Sequence, residues 1–278
     1  MKKLPGSTLL VVVVVAASSA QAADLTPAAA PRALPPAFSW TGVYAGVNIG
    51  YGFGAGGLEW GSAIESNATL MGAWTQSHGA NGVVGGGQVG YMYQITPWLV
   101  VGAEADIQAS DINGQRSYLT GGVAYPEDHI TIRSASFIDW FGTLRGRVGV
   151  TAPGWSNVLF YGTGGFAYGS VSNTVNVFNV WSTGAFGGMG AFGATQTGWT
   201  AGGGVEWSPS AFPAWSLRVE YLYTDLGPIS QNVGSTFSVG DATAFTFVAA
   251  QRTPSASNTV RAGLNWRFNP FPTSSIAN

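Results

Sequence analysis

From Trp40 onward the chain returns eight times to one pattern: about ten residues in which bulky apolar side chains take every second position and Gly, Asn, Gln, Thr or a charge takes the other. A period of two belongs to strands whose faces meet different surroundings, so the chain is constrained to an all-β fold before any other property is consulted. The first segment sets Val43, Ala45, Val47, Ile49, Tyr51 and Phe53 against Tyr44, Gly46, Asn48, Gly50 and Gly52. The third sets Leu99, Val101, Ala103, Ala105 and Ile107 against Gly102, Glu104, Asp106 and Gln108, and the seventh sets Trp215, Leu217, Val219, Tyr221 and Tyr223 against Arg218, Glu220 and Thr224. The fifth, near 158–169, is the weakest: Phe160, Phe166 and Tyr168 oppose Tyr161, Thr163, Gly165 and Ala167, and no charge fixes its faces.

The spacers alternate in length. Short ones lie around Thr96-Pro97, Pro153-Gly154-Trp155 and 208–214, and stretches of roughly 25 to 30 residues separate the other pairs. Short turns on one rim and long loops on the other describe an eight-stranded antiparallel up-and-down transmembrane β-barrel, with four long extracellular loops and three short periplasmic turns. An even strand count closes without an exposed edge.

Volume decides which face looks outward. An eight-stranded barrel has an interior only just wide enough to be filled by side chains, so about five bulky groups from each strand cannot all point inward. The Gly-rich face can, and it carries Glu104, Asp106, Arg145, Arg147, Glu206, Arg218, Glu220, Arg261 and Arg267. Arginine facing lipid would cost about 2 to 4 kcal/mol near the midplane, which places this lumen charge network inside. A soluble lipocalin-type barrel would have the opposite polarity. Opposite charges in a narrow lumen either pair or line an ion path; eight strands with both signs present favour a paired, largely occluded interior. Trp40, Tyr93, Trp98, Trp155, Trp207, Trp215, Trp266 and Phe268 fall at the short-turn ends of strands, and Trp140 and Trp199 near the loop ends, as two membrane-interface belts of aromatics would.

Composition agrees. Charged residues make up 9% of the chain, against about 25% in an ordinary soluble domain, so much of its outside meets something other than water. With 13 acids against 11 bases there is no basic face for nucleic acid, and zero cysteines exclude a disulfide scaffold or a thiolate site. Residues 1–22 read as a signal peptide, with Lys2 and Lys3 before the apolar run and Ala20-Gln21-Ala22 at the cleavage site; export followed by barrel insertion implies the cell outer membrane. Residues 23–38 are a Pro/Ala-rich periplasmic tether, 39–268 the barrel and 269–278 a C-terminal extension.

Particular stretches resemble a known family. Trp40-Thr41-Gly42-Val43-Tyr44-Ala45-Gly46 with Asn48 and Gly50-Tyr51-Gly52, then Asp139-Trp140-Phe141-Gly142-Thr143-Leu144-Arg145-Gly146-Arg147-Val148-Gly149, and Val260 to Phe268, are similar to porin-family small outer-membrane beta-barrel proteins with an OmpA-like membrane domain. The resemblance covers the walls and not the loops. It implies outer-membrane lipid and lipopolysaccharide as surroundings and the outer-membrane assembly machinery as a partner that reads the strand-ending aromatic. In the family that aromatic is usually the last residue, whereas ten residues follow Phe268 here. Some members bind haem, which makes His78, His129, Tyr118 or Tyr125 candidate axial ligands.

Chemistry is otherwise sparse. Two glycine patterns, at Gly52 and Gly85, match the dinucleotide fingerprint, but neither opens a helix in a βαβ unit. No HExxH, GxSxG or P-loop sequence occurs, so no cofactor and no catalytic residues are assigned and the expectation is a non-enzyme. The reading is an envelope structural protein or narrow passive pore, with a surface-loop receptor for haem or a host surface, and an outer-membrane hydrolase, as the competing classes. Segment 170–196, uncharged and aromatic, would extend the barrel as a hairpin or fold over its mouth.

Overall fold

The computed structural model describes residues 38–54, 58–65, 70–77, 79–121, 129–181, 184–239 and 243–268. The signal peptide, the extension, and the tether up to its last residue lie outside the described residues. Among the described residues twelve strands run in chain order: β1 Gly42–Gly54, β2 Leu58–Glu65, β3 Leu70–Ser77, β4 Asn81–Gln94, β5 Leu99–Gly121, β6 His129–Ala152, β7 Trp155–Trp181, β8 Gly184–Trp207, β9 Trp215–Asp225, β10 Ile229–Val239, β11 Thr243–Thr253 and β12 Ala256–Phe268.

Eight of them close an antiparallel barrel in the order β1-β12-β9-β8-β7-β6-β5-β4, and the eight alternating segments are its walls. The short connections are the expected ones, and the tightest is Pro153-Gly154, where Gly154 takes a positive φ of 81° that suits a residue without a side chain. Outward side chains in the barrel wall are apolar: Val47, Ile49, Val89, Ile107, Leu144, Val148, Val219 and Leu264 are all exposed. The weakest segment keeps the anticipated register, with Phe160 and Phe166 exposed and Tyr161 and Ala167 buried.

The long connections are largely strand. β5 to β8 run 23 to 27 residues, and at about 3.3 Å per residue with a tilt near 40° the longest spans on the order of 65–70 Å, against an apolar band of about 25 Å. Segment 170–196 is the upper β7–β8 hairpin, with Val171 facing Ala194 and Val177 facing Gly188. The other four wall strands break and restart as a separate sheet in the order β10-β11-β2-β3. That order repeats β9-β12-β1-β4, so the second sheet continues the ring upward, with Val233 of β10 against Gly190 of β8.

The lumen changes character between the two halves. Above the barrel wall the inward apolar positions are Ile112, Ile132, Ile138, Val171, Val175, Val177, Leu226, Ile229 and Val233, all buried, beside the buried polar Glu59, Ser134, Ser136, Asn173 and Gln251. The outward positions there are Asn113, Gln115, Ser117, Arg133, Thr174, Asn176 and Thr195. In β6 the change is made by a bulge: Ile138 pairs Val171 and Trp140 pairs Ser170, leaving Asp139 as the extra residue. One inserted residue reverses the faces of a strand, so even positions point outward at Leu144 and Val148 but inward at Ile132 and Ile138. Deleting Asp139 is therefore expected to turn Ile132 and Ile138 outward and make the upper half trypsin-sensitive, while the lower barrel keeps its heat-dependent gel shift. Protease resistance equal to the parent would show that the bulge does not set the register.

Candidate functional site in the barrel lumen

The short-turn end of the lumen is filled by Trp40, Tyr44, Met92, Val100, Leu159 and Tyr161, all buried. Trp40, expected among the outward aromatics, points inward with no exposed surface. Its backbone N–H donates to Gln94 Oε1 at 2.9 Å and its indole N–H to the Ser156 carbonyl at 2.9 Å. The physical reason is parity: Trp40 shares the even positions of Tyr44 and Asn48, which face the lumen. Phe38, placed by the sequence at the end of the tether, packs edge-on against it with centroids 5.1 Å apart. The remaining belt residues, Tyr93, Trp98, Trp155, Trp199, Trp207, Trp215, Trp266 and Phe268, are exposed on the outer surface. Trp140 is also outward and is partly covered by Tyr168, centroids 5.9 Å apart.

Above this layer eight charges interlock. Glu104 accepts from Arg145 Nη2 at 2.5 Å, from Arg147 Nη1 at 3.2 Å, from the Tyr44 hydroxyl at 2.6 Å and from Arg218. Asp106 accepts from Thr143 Oγ1, Arg145 and Arg261, each at 2.9 Å. Glu220 accepts from Arg145 Nη1 at 3.0 Å and Arg261 Nε at 2.7 Å, and Glu206 from Arg147 at 2.9 Å, Ser216 at 2.5 Å and Asn265 at 3.0 Å. Across adjacent strands Glu104 faces Arg145, Glu206 faces Arg218 and Glu220 faces Arg261. The bonds also cross the barrel, because Arg218 on β9 and Glu104 on β5 stand on opposite walls.

Narrowness forces this. In so small a lumen Arg145, Arg147 and Arg261 each reach two or more carboxylates and Arg218 reaches Glu104, and four acids against four arginines leave a desolvated lattice without net charge. Arg267, grouped with them by the sequence, stands apart: among the described residues it forms no ion pair, and its guanidinium lies 4.6 Å from the Trp40 ring centroid. Tyr44 and Tyr161 belong to the lattice through Glu104 and Glu220, although only inward parity marks them in the sequence. Arg147 sits 3.8 Å from the Tyr161 centroid. Gly90 is required here, since a side chain at that position would enter the Tyr44 ring.

Higher in the lumen Val84, Ile112, Ile138 and Phe141 form one apolar cluster, and Ala167, Val171, Leu226 and Ile229 another beside it, with Ile138 and Val171 paired in the ladder. A second polar group that the sequence did not reveal ties the upper sheet to the wall. Gln251 donates to Glu59 at 2.5 Å, to Ser134 at 3.1 Å and to Thr253 at 3.0 Å, and Asn173 donates to Ser136 and Thr253, each at 3.1 Å. Of the candidate haem ligands, His78 and Tyr125 lie outside the described residues. Tyr118 faces Ile132 in the β5–β6 ladder and His129 faces Gly121, three rungs away.

Comparison with known proteins agrees with this architecture. The chain is 34% identical over 255 residues to the 31 kDa outer-membrane immunogenic protein of Brucella melitensis biotype 1, covering 90% of this chain and 94% of that one, and equally similar to its counterpart in Brucella suis biovar 1. Among solved structures it is similar to the outer membrane protein OprG of Pseudomonas aeruginosa, at 11% identity and a TM-score of 0.42, covering 82% of this chain and 97% of that one. The model of the outer membrane protein beta-barrel domain matches residues 8–268, ending on the last residue of β12. The chain therefore belongs to the outer membrane protein beta-barrel domain family and is an integral protein of the cell outer membrane.

Proposed function

We propose that this is a closed-lumen, non-catalytic barrel whose work in the envelope is structural and whose contacts with the outside are made by its tall upper half. The observation that carries the reading is the lumen itself: buried charges bonded from wall to wall span it, with apolar clusters packed below and above them. A passive pore would need water alongside the charges, and these side chains are buried. The same lattice supports the absence of catalysis, since each of its carboxylates is held by arginine and none is left to act as a general base. The outward wall with its exposed aromatics suits surrounding lipid and lipopolysaccharide. Phe268, exposed at the end of β12, suits recognition by the assembly machinery.

Protein folded as judged by its heat-dependent gel shift, placed in a planar bilayer, is expected to give silence or rare flickers. Steady ohmic openings would overturn the closed-lumen reading and restore the porin.

A further inference from the structure

The outward apolar run ends on β5 and β6 at Ala109 and Trp140, and the next outward residues are the exposed Asp111 and Asp139. On β1 and β4, beside β5, the Tyr51 hydroxyl donates to Asn81 at 3.0 Å. These polar groups mark the outer edge of the apolar band on this side of the barrel. Six residues above Asp139, on the order of 15 Å along the barrel axis, the outward face of β5 to β7 holds a depression of ≈ 470 Å³.

Two ladder rows build it: Gln115 beside Ala135, and Ser117 beside Arg133 beside Asn176. The small Ala135 forms the floor, and the rim offers a guanidinium fork, two amides and a hydroxyl. Among the described residues no carboxylate pairs with Arg133. Next to it two apolar side chains stand exposed where the wall has already turned polar. Met189 pairs with Asn176 and is 73% exposed, and Phe178, one outward position above Asn176, is 47% exposed.

A cationic fork that grips phosphate, amides and a hydroxyl that grip sugar hydroxyls, and an aromatic face on which a sugar ring can lie form one recognition set. We propose that this face is a binding site for the phosphorylated saccharide headgroup of an outer-leaflet lipid, with Arg133 on the phosphate and Phe178 under the sugar. The lipid-borne form is chosen over a soluble saccharide because the depression rises directly from the outward wall. A headgroup standing beside that wall passes along it. The inference rests on the outer-membrane location and not on the closed lumen, so conducting channels would sink the latter and leave this site standing.

The test uses the full chain in phosphatidylcholine nanodiscs, titrated with deacylated lipopolysaccharide. The phosphorylated saccharide is expected to bind the parent protein, and to bind both Arg133→Glu and Phe178→Ala at least about tenfold more weakly, with the gel shift of each variant unchanged. Enzymatically dephosphorylated saccharide is expected to lose a similar factor. In nanodiscs that also contain intact lipopolysaccharide, tethered headgroups hold the site at high effective concentration and the added saccharide is expected not to bind. Equal affinity of parent and Arg133→Glu overturns the site. Undiminished binding in lipopolysaccharide-containing discs overturns the lipid-borne source.

Discussion

Trp40→Ala is expected to lower the free energy of unfolding by about 3–5 kcal/mol, the range for truncating a large, fully packed aromatic. The residue has no exposed surface and sits where three parts of the ring meet. Its indole N–H reaches Ser156 on β7, its backbone N–H reaches Gln94 at the end of β4, and Arg267 near the end of β12 covers its face. Arg267 also donates to the Ser39 carbonyl at 3.3 Å, so the residues just before β1 are strapped across the short-turn mouth. Truncation leaves a cavity among Tyr44, Met92 and Leu159 and removes that strap together. Urea unfolding in phosphatidylcholine vesicles, followed by the heat-dependent gel shift, measures the loss. The control is Trp98→Ala, because Trp98 is outward and 57% exposed. A Trp40 variant no less stable than the Trp98 variant would show that the lumen is not packed around it.

Arg145→Ala is the second change with a large expected effect, also about 3–5 kcal/mol, because it strands buried carboxylates without compensation. Arg145 hydrogen-bonds Glu104, Asp106 and Glu220 at once, at 2.5, 2.9 and 3.0 Å, whereas Arg261 bonds the last two and stands 3.6 Å from Glu104. Its side chain and those of all three partners have no exposed surface, so water cannot take its place without rearrangement. The melting temperature of the folded band should fall accordingly. Adding Asp106→Ala to Arg145→Ala should recover part of the loss, since one stranded charge is then removed; strictly additive losses would mean that the two residues do not share one network. An unchanged melting temperature for Arg145→Ala alone would show that the lattice is not desolvated.

Both predictions concern the lumen, where sequence reasoning was strongest on the wall and weakest on the filling. Alternation is a local property of one strand, so the eight walls, their faces and the inward charges could be read from segments such as 43–53 and 215–224 without knowing what lay opposite. The aromatics at strand ends were equally legible, except Trp40. Its position at an end suggested the outer surface, while its parity with Tyr44 put it inside, and packing obeys parity.

The long connections were harder for a physical reason. A bulge is a difference between two strands in the number of residues spent, and β6 shows its extra residue, Asp139, only when laid against β7. Past that point the same alternation carries the opposite meaning, with Ile132 and Val175 as interior and Arg133 and Asn176 as exterior, so the stretch reads as polar loop when it is strand. Glu59 meets Gln251 across 192 positions of chain, a separation no spacing rule reaches.

A period of two and a lumen too small for bulky groups suffice for the all-β class, the closed ring of eight walls, the apolar exterior and the inward charges. Which arginine holds which carboxylate, the closing of the mouth by Trp40, and the rise of the upper strands above the apolar band with apolar side chains turned inward come from the fold. Those outcomes depend on distances across the ring and on register between strands, and neither is written in any single segment of the chain.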